Sequence, residues 1–210
     1  MSGNFAMPHP TIHLIERRVS ANQFDASHRL TDTEIGELVR LATRAPTAYN
    51  LQNWRFIAAR TQNAKTRLRQ LAYGQAKVSE AAVTFIICGQ TPDHTTLADR
   101  LRPFVEAGHM PQDMASVWQE NVGVQYAEPR AARDEAIRSA ALGAATLMYA
   151  AEAMNLASGL MGGFDADAVA REFGLARNET PVMLLAVGRA APGNWPQKPR
   201  RPLSEVLQIS

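Results

Sequence analysis

Apolar residues recur at Ile35, Leu38, Val39 and Ala42, a spacing that gathers them on one face of a helix. The stretch opens with Thr31-Asp32-Thr33-Glu34, a capping box in which hydroxyl and carboxylate each satisfy a free backbone amide. Pro46 closes it. Residues 54–59 then make an apolar run of strand length, residues 64–71 a basic helix, and residues 82–89 a second strand. The longest helical pattern covers residues 131–157. There Ile137, Ala141, Ala144, Ala145, Met148, Ala151 and Ala153 are spread over several faces, so the predicted helix is central and buried. Its small side chains let other backbones come close. A third strand is predicted over residues 181–188.

The remaining segments are less regular. Residues 1–12, with Gly3, Pro8 and Pro10, have no period and read as a loose lead-in; residues 20–30 are polar and turn-like. Residues 91–128 predict short helical pieces broken by Pro103, Gly108, Pro111 and Gly123. Residues 158–164 predict a loop with adjacent glycines, followed by a short helix ending near Phe173. From Ala190 the chain runs through Pro192, Pro196, Pro199 and Pro202 to an apolar end at Leu203 to Leu207. Such a tail suits an arm packed on a second subunit, or else a frayed terminus. Three strands among many helices, without regular β-α-β alternation, indicate an α+β fold.

Composition narrows the class. The 210 residues fit one globular domain, 46% hydrophobic and 20% charged, large enough to bury a core without staples. The formal charge of +2 is too small to argue for nucleic acid, and Arg130, Arg133 and Arg138 are offset by Asp134 and Glu135. A single cysteine, Cys88, excludes an internal disulfide framework and a multi-cysteine zinc site. The five histidines form no ligand motif; Pro10 is expected to spoil the helix that would bring His9 and His13 together. No secretory pattern is apparent, and the apolar run at residues 81–88 is far short of the roughly 20 residues a bilayer needs. The expectation is a cytoplasmic protein with no membrane or nucleic-acid partner and no bound metal.

Four segments carry candidate chemistry. Arg17-Arg18-Val19-Ser20 offers two guanidiniums and a hydroxyl, a set that holds phosphate or forms a solvated surface pair. Lys198-Pro199-Arg200-Arg201 is a second cation cluster. Residues 46–54, from Pro46 and Thr47 to Trp54, crowd amides and hydroxyls before a strand, which suits the edge of a heterocycle or a plain turn. Residues 159–165 contain Gly162-Gly163, which allow a flat ligand to approach backbone amides or simply cap a helix. Neither a Rossmann fingerprint nor a P-loop is present.

In this order the segments resemble the nitroreductase family of FMN-dependent NAD(P)H oxidoreductases. Glu16-Arg17-Arg18-Val19-Ser20 is similar to its N-terminal arginine/serine motif. Residues 45–56 are similar to its Pro-Ser-Ser-x-Asn-x-Gln-Pro-Trp segment. Leu160-Met161-Gly162-Gly163-Phe164-Asp165 with Phe173-Gly174-Leu175 resembles its glycine loop and next helix, and Lys198-x-Arg200 its C-terminal phosphate clamp. The likeness runs from Glu16 to Leu207.

What the resemblance implies is a three-layer α-β-α sandwich, intertwined as a homodimer by the C-terminal arm (residues 190–210), with FMN at the subunit interface. On that likeness Arg17, Arg18, Ser20, Lys198 and Arg200 hold the FMN phosphate and ribityl chain, beside Asn22. Pro46, Thr47, Ala48 and Asn50 come from the second subunit; Gln75 and Lys77 face the pyrimidine edge; Leu160, Met161, Gly162 and Gly163 face the reactive N5 side. NADH or NADPH is the implied electron donor, a flat electron-poor nitroaromatic or quinone the acceptor, and no side chain is implied as catalytic. Residues 99–126, with Phe104, Met110, Met114, Trp118 and Tyr126, suit a lid over an aromatic site or ordinary packing under a long excursion. Asn22 stands where the family often has a cation, Gly162 where some members carry glutamate, and Asn53 where proline is usual. Reduction of small carbonyls or enones, dehalogenation, and non-catalytic flavin binding are the alternatives on this fold.

Overall fold

The computed structural model describes residues 9–210. In chain order the elements are α1 (Pro10–Arg17), α2 (Asp32–Ala42), β1 (Trp54–Ala59), α3 (Gln62–Leu71), α4 (Ala76–Glu80) and β2 (Val83–Gln90). Then follow α5 (Leu97–Glu106), α6 (Gln112–Gln125), α7 (Pro129–Ala153), β3 (Ala157–Met161), α8 (Ala166–Glu172), β4 (Glu179–Gly188) and α9 (Leu203–Val206). The strands form one antiparallel sheet in the order β1-β2-β4-β3.

Strand periodicity divides the central pair between two cores. Phe85 and Ile87 of β2, with Leu185 and Val187 of β4, pack against α7 and α2. Their neighbours Ile86, Cys88, Leu184 and Ala186 face the other way, against Leu68 of α3, Val78 of α4 and Val169 of α8. The result is the expected three-layer sandwich. A third cluster, Leu51, Leu97, Leu101, Met110, Ala115 and Val122, holds α5 and α6 together as a helical hairpin.

The small residues of α7 have a geometric cause. A Cβ added at Gly89 of β2 would lie 2.6 Å from the Ala136 carbonyl carbon, and one at Gly143 of α7 would lie 3.0 Å from the Phe56 ring. Helix and sheet therefore touch at backbone distance. Glu128 caps α7, accepting from the amides of Arg130 and Ala131 at 2.9 and 2.7 Å. The capping box of α2 is formed as expected, with Thr31 and Glu34 bonded reciprocally.

Several expectations need correction. Residues 158–164 are not all loop: Ala157–Met161 is an edge strand, whose Ser-Gly composition hides a register imposed by β4. The long helix accordingly stops at Ala153, where Asn155 turns left-handed with φ 57°. Of the lead-in, residues 1–8 lie outside the described residues, but Pro10 starts α1 at its first position instead of breaking a helix. His9 caps that helix by accepting from the Thr11 amide at 3.2 Å. Pro103 and Gly123 sit inside α5 and α6; Leu97 and Leu101 bury α5 deeply enough to offset the amide that Pro103 lacks. Only Gly108 and Pro111, between the two helices, break the chain as expected. Among the described residues, no helix is long and apolar enough to cross a membrane.

Cys88 lies fully buried in β2, and burial first, then the Glu179 carboxylate, pushes its thiol up to about 12. Native protein at pH 8 should resist an aromatic disulfide reagent, with one thiol appearing on unfolding. Fast labelling of native protein would contradict this burial.

Candidate functional site

The edge of β3 is lengthened by the chain entering from α1. Ser20 forms a parallel bridge to Ser158, and the Ala21 amide donates to the Ser158 carbonyl at 2.8 Å. Gly159 permits this, because a Cβ there would collide with the Ala21 carbonyl oxygen. Two residues on, the Asn22 and Gln23 amides donate to Asn194 Oδ1 at 2.7 and 3.0 Å. Asn194 Nδ2 returns bonds to the Gln23 and Ala191 carbonyls at 2.8 and 2.9 Å. This clasp fixes the root of the C-terminal arm beside Asn22. A cavity of about 240 Å³ opens there between Asn22, Gln23, Gly193, Trp195 and Lys198.

Lys77 and Lys198 meet there. Lys77 Nζ donates to Asn22 Oδ1 at 3.2 Å, and Lys198 Nζ lies 5.6 Å from the Trp195 ring centre. Burial, and then repulsion from Lys198, holds the Lys77 ammonium below its ordinary range. Arg18 keeps Nη1 buried with no hydrogen-bond partner, while its carbonyl accepts from Gln197 Nε2 at 3.4 Å. Arg200 uses one nitrogen on the Lys198 carbonyl at 3.2 Å. Among the described residues none of these four cations forms an ion pair. A buried donor without a partner costs about 1–3 kcal/mol, so this arrangement suits an anion, and planar guanidinium with lysine suits a phosphate.

The glycine loop adjoins the same edge. Gln75 Nε2 donates to the Gly163 carbonyl at 2.8 Å and to the Ala72 carbonyl at 3.1 Å. Nothing lies within 4 Å of a Cβ built on Gly162, so that face of the backbone is open to a flat ligand. Leu160 and Met161 contribute backbone only, since their side chains pack into the two cores. Arg17 departs from expectation: it turns away to Glu152 near the end of α7, with Nε 2.9 Å from Oε1, and is no part of the cluster.

The loop with Pro46, Thr47, Ala48 and Asn50 is elsewhere. It precedes Trp54, whose register partner is Gly89, and Gly89 in turn faces Thr180; Ser158 faces Val187. The two sets thus occupy opposite edges and opposite ends of the sheet, about 14 Å apart across three strand spacings and about 23 Å along seven residues. One chain cannot close both around one mononucleotide-sized ligand. The loop itself is unusual: Tyr49, Asn50 and Gln52 all have left-handed φ, at 51°, 56° and 47°. Thr47 Oγ1 stabilises it by accepting from the Gln52 amide at 3.0 Å.

Tyr73 was not anticipated. It is 73% exposed with φ 54°, next to Gly74 at φ 75°, in the turn that delivers Gln75 to Gly163. Only Gly74 hints at that turn in the sequence. Among the described residues no group of three His, Cys, Asp or Glu is placed to hold a metal ion.

The Nitroreductase family profile matches residues 15–189. MhqN of Bacillus subtilis, named as an NAD(P)H nitroreductase, is 31% identical over 93% of this chain and 97% of its own length. An NADH dehydrogenase of Thermus thermophilus is 32% identical over 81% of this chain and 82% of its own. A crystal structure from Exiguobacterium sibiricum, named as a nitroreductase in complex with FMN, superposes with a TM-score of 0.87 at 25% identity. It covers 98% of this chain and 99% of that one.

Two glycines separate packing from the open site. Gly159→Ala should cost about 1–3 kcal/mol in urea unfolding, the usual penalty of overpacking. Gly162→Ala, whose methyl meets nothing, should stay within about 0.5 kcal/mol of wild type. Equal losses would contradict the placement of β3 against Ala21.

Proposed function

The chain belongs to the nitroreductase family, and from that premise we propose that it is an FMN-dependent NAD(P)H oxidoreductase whose cofactor lies between two copies of the chain. Its acceptors are flat and electron-poor, nitroaromatics or quinones. The observation that carries this reading is the buried Arg18 Nη1 without a hydrogen-bond partner, two residues before the Ser20 bridge that leads to Asn22 and Lys77.

Bound FMN supplies the two-electron chemistry between nicotinamide and acceptor. The chain binds and orients. Arg18, Lys198 and Arg200 take the phosphate, with Ser20 exposed beside them. Lys77, anchored on Asn22, places a positive charge at the ring's polar edge. Gly162 and Gly163 leave room for a ring to reach backbone N–H groups. Thr47, Ala48 and Asn50 of the second copy complete the cradle. The acceptor enters beside a cavity of about 460 Å³ in which Asn50 and Arg100 stand among Leu101, Phe104, Met110 and Trp118, a mostly apolar wall with one cation.

The primary test is the absorption spectrum of purified, dialysed protein, followed by identification of the released chromophore and anaerobic addition of NADH or NADPH. The reading expects FMN that bleaches with at least one nucleotide and recovers with a nitroaromatic or quinone. Recovery with an enone alone would select the enone alternative. Colourless protein that also refuses added FMN would overturn the assignment.

Two further outcomes follow from the cation cluster. Arg18→Met should leave ligand-free protein as stable as wild type or more so, because a buried unpaired donor is removed, yet weaken FMN binding at least tenfold. Lys77 starts with a lowered pKa, and a nearby anion favours its charged form, so FMN binding takes up a proton in the alkaline range below 10.5. Affinity should therefore fall as pH rises through the alkaline range below 10.5, well above the phosphate's own titration near 6. Lys77→Met should flatten that slope; an unchanged slope would remove Lys77 from the site.

A further inference from the structure

One polar arrangement outside the cation cluster has no part in anion binding. The Tyr49 hydroxyl donates to Gln125 Oε1 at 3.0 Å, Gln125 Nε2 donates to the Tyr126 hydroxyl at 3.2 Å, and that hydroxyl donates to Glu135 Oε2 at 3.2 Å. Glu135 is 2% exposed. It also accepts from Ser139 Oγ at 2.9 Å and pairs with Arg138. Every link donates in the same direction, from a loop hydroxyl to a buried carboxylate, so each bond polarises the next. The loop before β1 is thereby joined to the end of α6, 76 residues on, and through it to the second turn of α7.

The loop end of the chain needs such an anchor. Tyr49 and Asn50 hold left-handed backbone at φ 51° and 56°. Asparagine tolerates this conformation, whereas for a bulky residue it costs about 1–3 kcal/mol and persists only where the surroundings impose it. Beside the Thr47–Gln52 bond within the loop, two contacts from α6 hold the Tyr49 side chain. Gln125 takes the hydroxyl, and Trp118 meets the ring edge-on, with centroids 5.5 Å apart and planes at 79°. Trp118 and Asn50 also share the cavity of about 460 Å³.

We propose that Tyr49, Gln125, Tyr126 and Glu135 are positioning residues: the buried carboxylate on α7 fixes the Tyr49-Asn50 turn through the end of α6. Asn50 is thereby presented to the cofactor in one conformation, and the loop moves together with the helical hairpin that walls the acceptor cavity. The role of the loop at the cofactor rests on the functional reading above; the chain itself rests on the hydrogen bonds.

The test compares wild type, Tyr49→Phe, Tyr126→Phe and the double variant. Each is measured for FMN dissociation by flavin fluorescence and, without FMN, for its urea midpoint. Phenylalanine keeps the rings and the Trp118 contact and removes only the hydroxyls. Each single variant should weaken FMN about fivefold, the effect of one hydrogen bond. The double variant should be no weaker than either single one, because one broken link already frees the turn. Unchanged affinities, or losses that multiply in the double variant, would overturn the positioning chain while leaving FMN binding intact. A shifted urea midpoint with unchanged FMN affinity would assign these hydroxyls to stability alone and overturn it equally. Wild type that takes up no FMN would sink both the chain's role and the functional reading.

Discussion

The burial of β2 and β4 on both faces is the constraint from which the rest follows. Val83 to Cys88 and Leu184 to Val187 are all without appreciable exposure, so the sheet centre has no place for a polar ligand. Helices must cover both faces, and the chemistry is displaced to the two edge strands. At one edge, β3 accepts Ser20 and Ala21 as an extension and collects Asn22, Lys77 and the arm. At the other, Asn53 at the end of the loop before β1 exchanges bonds with Gln90, whose side chain reaches Glu179. Burial alone would raise that carboxyl, yet the Ala176 amide, the Gln90 amide group and Arg55 together hold it below its usual range.

On the proposed reading, displacement to opposite edges leaves a half-site at each corner. The cation-lined cavity at one would be the phosphate cradle, and the strained polar loop at the other would complete it from a second copy. The arm adds a second incompleteness: Trp195, Leu203, Val206, Leu207 and Ile209 are between 55% and 88% exposed. Leu142 and Tyr149 of α7 are also exposed, on a helix otherwise packed on the sheet. In the proposed homodimer one event meets both needs, with α7 and the arm covered by the second copy and the loop delivered to its cradle.

Much of this was legible in the sequence. The helical stripe of α2 with its capping box, the apolar runs of β1, β2 and β4, and the small residues of α7 are local patterns with local causes. The order of arginine, loop, glycine and clamp motifs identified the family. Features that depend on tertiary context were not legible. Ala157–Met161 is a strand because β4 offers it a register, which its glycine and serine do not announce. Arg17 and Arg18 are adjacent and chemically alike, yet Glu152 captures one and leaves the other. Tyr49 and Tyr73 have left-handed backbones that no residue preference foretells. Pro103 and Gly123 looked like helix ends and are not, because the buried cluster between α5 and α6 outweighs their propensity.

The division of one cofactor site between two chains is tested most directly by subunit complementation. An Arg18→Ala protein, defective in the cradle, and an Asn50→Leu protein, defective in the loop, would be mixed, exchanged by mild denaturation and refolding, and titrated with FMN. Heterodimers then carry one site with both lesions and one with neither. Random pairing should restore about a quarter of wild-type FMN capacity at wild-type affinity. No recovery above the two parent proteins would show that cradle and loop serve within a single chain, and would contradict the shared site.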